Sequence, residues 1–154
     1  MMAAAPEDFM PGPVTEKYTF TIVPASQVPY MWSDVSKLLA PAVKRSNGRW
    51  TLDSVFGALY AGHQQLWVGY VKATDIEIAF TTEVVDYPNA RYLAIHFLGG
   101  TKLDKWFNHM LDLAERFARD HSCCGVEAPA RFGFWPFVKQ RGYKRAYVTY
   151  EINF

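Results

Sequence analysis

The chain has 154 residues, half of them hydrophobic and 16% aromatic, which implies one domain with a real core rather than a disordered chain. Sixteen lysines and arginines against fifteen aspartates and glutamates leave a net charge of +1. With no basic stripe, a duplex-binding protein that must neutralise phosphates is not supported. The two cysteines, Cys123 and Cys124, are adjacent, which suits neither ordinary disulfide geometry nor a four-ligand zinc site; two free thiols fit packing in a reducing compartment.

The first residues, MMAAAPEDFMPGPVTEK, carry no positive leader region and no long apolar run, so they read as neither a secretory signal nor a membrane span. Residues 1–16 are expected to form a flexible or extended arm, and residues 17–154 a single domain. YTFTIVP, Tyr18 to Pro24, alternates and stops at a proline, as a strand does. From Gln27 to Ser46, Val28, Met31, Trp32, Val35, Leu38, Leu39 and Val43 recur at helical spacing, and Pro41 is expected to end or kink that helix. SNGR is a turn. Thr51 then caps a second helix with one face of Leu52, Val55, Phe56 and Leu59, closed by Gly62.

Two strands follow, QQLWVGYVKA and DIEIAFTTEVVDYP, paired through a turn at Thr74–Asp75. RYLAIHFL is a dense apolar run and reads as a buried central strand. The helix from Lys102 to His121 places Leu103, Trp106, Phe107, Met110, Leu111, Ala114, Phe117 and Ala118 on one face. Thr101 with Asp104 spells a capping box at its start. CGVEAPA is a short strand, FWPFVKQRG a short helix, and YKRAYVTYEINF a long final strand. Strand, two helices, three strands, helix, strand, short helix, strand is an α+β order. It implies a mixed, mostly antiparallel sheet with helices on both faces.

That order resembles the GNAT superfamily of acetyl-CoA-dependent N-acetyltransferases from about Lys17 to Phe154. The sharpest local match is FVKQRGYKRAYVTYEI, where Gly142-Tyr143-Lys144 stands at the family's Gly-Phe-Lys step. A helix must stop abruptly there, which glycine permits at positive φ, and an aromatic then packs under the sheet. The resemblance implies a central sheet of about six to seven strands in which the fourth splays from the fifth. It also implies acetyl-CoA in the gap, its pyrophosphate on amides at the start of the next helix. The matching stretch is Phe97, Leu98, Gly99, Gly100, Thr101 and Lys102. It departs from the family's Q/R-x-x-G-x-G/A pattern because the two glycines are adjacent and no glutamine or arginine stands three positions before them.

The tyrosine that many members use to protonate the leaving thiolate falls on Val138, so no general acid carries over; Tyr143 and Tyr147 are expected to pack. Glu83, His96 and Glu127 lie on or beside the strands that would line the splay and are the candidates for a general base. Alternation puts His96 on the face opposite Ile95 and Phe97, either in the cleft or under a helix. Glu127 is either a sheet-edge charge or a desolvated base, and Glu83 reads as a solvated strand residue. His63, His109 and His121 are too scattered for a metal set. FGFWPF, Phe132 to Phe137, would mark a contact surface if Phe134 and Trp135 were exposed.

Two functions follow. One is transfer of an acetyl group from acetyl-CoA to an amine, with activity weakened or lost. The other is a non-catalytic structural or interaction protein that keeps the fold. The LGG turn, Trp-bearing helix and R-G-Y-K ending are similar to those of bacteriophage-encoded relatives, which implies protein neighbours in a virion, or otherwise the host cytoplasm. Neither reading involves nucleic acid or a membrane.

Overall fold

A computed structural model describes residues 17–130 and 134–154. The expected arm, residues 1–16, and Phe132 of the aromatic run lie outside the described residues. The elements are β1 (Thr19–Val23), α1 (Val28–Lys44), α2 (Leu52–Tyr60), β2 (Gln65–Tyr70), β3 (Ile76–Asp86), β4 (Arg91–Gly100), α3 (Leu103–Asp120), β5 (Gly125–Glu127) and α4 (Trp135–Val138). Among the described residues, no helix is long and apolar enough to cross a membrane.

The strands lie in the order in which they occur. β1 to β4 form an antiparallel meander, and β5 adds parallel to β4 after the chain crosses over through α3. Period-two alternation feeds a core on each face. Trp67, Ile78, Phe80, Leu93 and Ile95 meet Trp106, Phe107, Met110, Leu111, Ala114 and Ala118 of α3 on one side. Leu66, Val68, Ala79 and Phe97 meet Val28, Val35, Leu39 and Val43 of α1 and Val55 and Leu59 of α2 on the other. Helices therefore cover both faces, as the element order implies.

The described sheet has five strands, not six to seven. The missing strand is the last one: residues 143–154 join no ladder. Alternation suits a strand only where a neighbouring edge can receive it. β5 offers three residues and stops just before Pro129, which has no amide hydrogen to donate.

Local rules hold elsewhere with two exceptions. Thr51 caps α2 by accepting from the Ser54 amide, and Gly62 closes it at φ +81°, with the His63 amide bonded to the Ala58 carbonyl. Gly142 ends the turn after α4 at φ +90°, and Tyr143 packs against the α3-side core. α1 runs through Pro41 to Lys44, so of the two outcomes expected of that proline it does not end the helix. A proline forfeits one amide bond, and the burial of Leu39 and Val43 on either side holds the last turn in place. The second exception is the start of α3, where no capping box forms. Lys102 takes the cap position at φ +59° and no side chain bonds the first amides.

Two packing expectations also change. Cys123 is half-buried, but Cys124 is exposed. Tyr147 does not pack: it is exposed, whereas Phe134 lies against Phe107 and Trp135 sits beneath Arg145.

Candidate functional site

The site is set by β4, which has two unlike halves. Tyr92, Leu93 and Ala94 pair with β3 on one side and with Gly125, Val126 and Glu127 of β5 on the other. From Ile95 to Gly100 the ladder to β3 continues, but among the described residues no strand pairs the outer edge. The β4–β5 ladder thus ends at Ala94–Glu127, and the wedge begins there, along the edge of β4 from Ile95 to Gly100 that is unpaired among the described residues.

A β-bulge lies in the open half. Phe80 pairs with Leu98 and Thr82 with Ile95, so His96 and Phe97 together stand opposite Thr81. The Phe97 amide donates to the Thr81 hydroxyl at 3.2 Å, which satisfies a group that the interrupted ladder would leave bare. The extra residue also resets the alternation. Ile95 faces the α3 core, but Phe97 enters the α1/α2 core. His96 lies beside Trp50 and Phe97, with ring centroids 6.2 and 6.0 Å away. His96 is therefore opposite Ile95, as alternation predicts, but on the same side as Phe97, which alternation alone gets wrong.

The structure brings two of the three candidate bases into contact. His96 Nε2 lies 2.7 Å from Glu83 Oε1, and both side chains are partly exposed. Glu83 is thus not a free, solvated strand residue but the partner of His96. With its proton on Nε2 and donated to Glu83, the imidazole has its lone pair on Nδ1.

Glu127 stands apart. It shares a row with Ala94 and Glu83 across three strands, a Cα span of about 10 Å from strand spacing. Its carboxylate accepts from the Tyr87 hydroxyl at 2.9 and 3.1 Å, and this bond raises the Tyr87 pKa above its ordinary value. Sequence reasoning missed Tyr87, read only as the end of a strand, and it missed Trp50 as the ring beside His96, because each partner lies some forty residues or more away in sequence.

The glycine pair has work of its own. A Cβ on Gly99 would lie 1.8 Å from the Leu38 carbonyl oxygen, so α1 crosses β4 in backbone contact there. Gly100 has φ +143°, and a Cβ would approach the Glu77 carbonyl oxygen to 2.9 Å. Both residues belong to the ladder, facing Ala79 and Ile78, rather than to the turn. Phe97 and Leu98 are side chains of the two cores. The turn proper is Thr101, whose carbonyl accepts from Trp106 Nε1 at 2.6 Å, and Lys102. Asp104 is the acidic residue of the first turn of α3, with Lys102 and Lys105 on either side. Among the described residues, no group of three or more histidine, cysteine, aspartate or glutamate side chains could hold a metal ion.

The fold can be compared with known proteins. No protein-family model matches the sequence, and no curated protein matches it. Solved structures do match. An acetyltransferase of Clostridium acetobutylicum, predicted as such and crystallised with acetyl-CoA, superposes with a TM-score of 0.64 at 13% identity, over 89% of this chain and 96% of that one. A GCN5-related N-acetyltransferase of Ralstonia eutropha gives 0.65 at 11%, over 89% and 99%. Glucosamine-6-phosphate N-acetyltransferase of Arabidopsis thaliana gives 0.60 at 10%, over 90% and 99%. At such identities the similarity establishes the fold, that of the GNAT acetyltransferases, and not the activity. These relatives come from cellular organisms and lend no support to the phage-encoded part of the resemblance.

Proposed function

We propose that the protein transfers an acetyl group from acetyl-CoA to an amine, with His96 and Glu83 as the proton-accepting pair. The observation that carries this reading is the wedge: β4 loses its outer partner at Ala94, two residues before a histidine bonded at 2.7 Å to a carboxylate.

The residues suit the cofactor. A free strand edge from Ile95 to Gly100 can take the amide-bearing arm of the cofactor by backbone hydrogen bonds, as an edge takes an added strand. The uncapped amides at the start of α3, beside Lys102 and Lys105, suit its pyrophosphate, and Asp104 opposes it. Acetyl-CoA, when bound, supplies the activated acetyl group. Glu83 fixes the His96 tautomer so that Nδ1 can accept a proton from the incoming ammonium or amine. Trp50 and Phe97 shield the imidazole from bulk water on its flanks. The leaving thiolate has no matching donor in this chain, since Val138 stands at the tyrosine position of the family, and solvent protonates it. That difference favours slow turnover.

Glu127 is the second carboxylate of the wedge. Its bond to Tyr87 suits it to holding the acceptor's positive charge rather than to removing a proton. A non-catalytic interaction protein of the same fold is the competing reading, and the exposed side chains of Tyr147, Val148, Tyr150, Ile152 and Phe154 speak for it.

A thermal-shift titration with acetyl-CoA separates the two. A ligand that binds only the native state adds about 2.7 kcal/mol at a hundredfold excess over its dissociation constant, enough to move the melting temperature by several degrees. Such a rise is expected with acetyl-CoA. A melting temperature unmoved at millimolar acetyl-CoA would overturn the enzymatic reading.

A further inference from the structure

Two contacts tie the last residues of the chain to opposite sides of the sheet. Tyr143 packs on the α3-side core, and its hydroxyl donates to Glu115 at 2.8 Å. Further along, Glu151 accepts from the Arg49 guanidinium at 2.6 Å, in the connection between α1 and α2. Because α3 and the α1/α2 pair cover opposite faces, the chain passes from one face to the other and reaches the turn that delivers Trp50. That turn is knit by its own bonds. Ser46 Oγ accepts from the Trp50 amide at 3.0 Å and donates to the Trp50 carbonyl at 3.3 Å. The Ser46 carbonyl accepts from the Arg49 amide at 3.2 Å and from its guanidinium at 3.3 Å. Residues 46–50 are thus one unit, and Arg49 joins that unit to Glu151. At its end the Trp50 ring lies 6.2 Å from His96 and 5.9 Å from Phe97. Both Glu151 oxygens are engaged, one by Arg49 and the other by the Asn153 side-chain amide at 3.0 Å. Arg49 first, then Asn153, hold the Glu151 carboxyl below the usual carboxylate range.

We propose that Glu151 is a positioning residue for the site: by holding Arg49 it keeps the Ser46–Trp50 turn, and with it the Trp50 ring, against His96. The proposal rests on the reading of His96 as the proton acceptor, and it makes the far end of the chain a determinant of that imidazole's surroundings. The ion pair is exposed, 52% on Arg49 and 34% on Glu151, so it is a weak tie that salt loosens. Trp50 is also held by packing on the α1/α2-side core. Loss of the tie therefore leaves the fold intact and widens the excursions of the turn, so that small solutes reach His96 more often.

The test reads His96 in the full chain without any cofactor. Diethyl pyrocarbonate modifies unprotonated imidazole, and peptide mass spectrometry separates His96 from His63, His109 and His121. Trp50→Ala, which removes the ring itself, is expected to raise the His96 rate the most. Glu151→Gln and Arg49→Gln are each expected to raise it severalfold, with the other histidines and the melting temperature unchanged. Arg49→Glu combined with Glu151→Arg restores the wild-type rate, since the bond from the residue 49 amide to Ser46 does not depend on the side chain. Salt at about 1 M should bring the wild type toward the Glu151→Gln rate and leave that variant where it is. Wild-type reactivity in both single variants, a reversed pair as reactive as either, or an equal rise at every histidine would each overturn the proposal. A chain that never binds acetyl-CoA would sink the proposed function yet could still show this pattern. One that binds it with His96 equally reactive in all variants would sink only the role of Glu151.

Discussion

The two halves of β4 show what a sheet does when it is held on both sides and when it is held on one. The closed half, Tyr92 to Ala94, has strands on either flank, and its ladder is regular. The open half, Ile95 to Gly100, has a bulge, two glycines and a free edge within six residues. Irregular backbone gathers where one partner is missing, because a strand paired on both sides cannot accept an extra residue without breaking two ladders. The candidate chemistry sits in that same half, so the wedge and the irregularity have one origin.

Several substitutions would break or sharpen this contrast. The largest effect belongs to Gly99→Ala. The added methyl would overlap the Leu38 carbonyl, backbone against backbone, and neither α1 nor β4 can yield without losing core contacts. A loss of about 3 kcal/mol or more is expected, at or above the upper end of ordinary overpacking, read as a fall in the denaturant midpoint at constant slope. A variant as stable as the wild type would show that α1 does not cross the open half in backbone contact.

His96→Ala comes next and touches activity rather than stability. If His96 accepts the proton, acetyl transfer should fall about a hundredfold, the lower end for general-base removal and about 2.7 kcal/mol in barrier, with acetyl-CoA binding retained. Glu83→Gln should give a smaller loss, since the amide can no longer accept from Nε2 with a full negative charge. An unchanged rate in both variants would remove the pair from the chemistry.

Thr81→Val tests the bulge itself. The hydroxyl that receives the Phe97 amide disappears at nearly constant volume, leaving a buried donor unsatisfied at a cost of about 1–2 kcal/mol. Hydrogen exchange should localise the loosening to the open half. At the closed end, Tyr87→Phe removes the bond to Glu127 between exposed side chains, and the melting temperature should stay where it is. If that variant weakens acetyl transfer while leaving stability alone, Glu127 and Tyr87 belong to the acceptor's place in the wedge.

Much of this architecture can be read from the residues alone. Thr51 and Gly62 bound α2 by capping chemistry that needs no neighbour. The apolar face of α3 follows from spacing, and the alternation in β2 and β3 sorts side chains to the two cores. The expected parting of the fourth and fifth strands, by contrast, came from the family resemblance and not from the residues themselves. Other expectations fail for reasons outside the local sequence. The Thr101–Asp104 capping pattern is present, yet Lys102 takes the cap because β4 carries on to Gly100. YKRAYVTYEINF alternates as a strand should, yet among the described residues it joins no ladder, and β5 at the edge of the sheet offers only three residues.

Sequence by itself determined the helices, their buried faces and the positions of the turns, because propensity, capping and periodicity act over a few residues. Tertiary structure alone decided that Phe97 shares a side with His96, since the extra residue opposite Thr81 resets the alternation beyond it, and that His96 meets Glu83 and Trp50 there. It also decided that Gly99 serves the passage of α1. Both outcomes depend on what lies across a strand or beneath a helix, and such contacts join residues far apart along the chain.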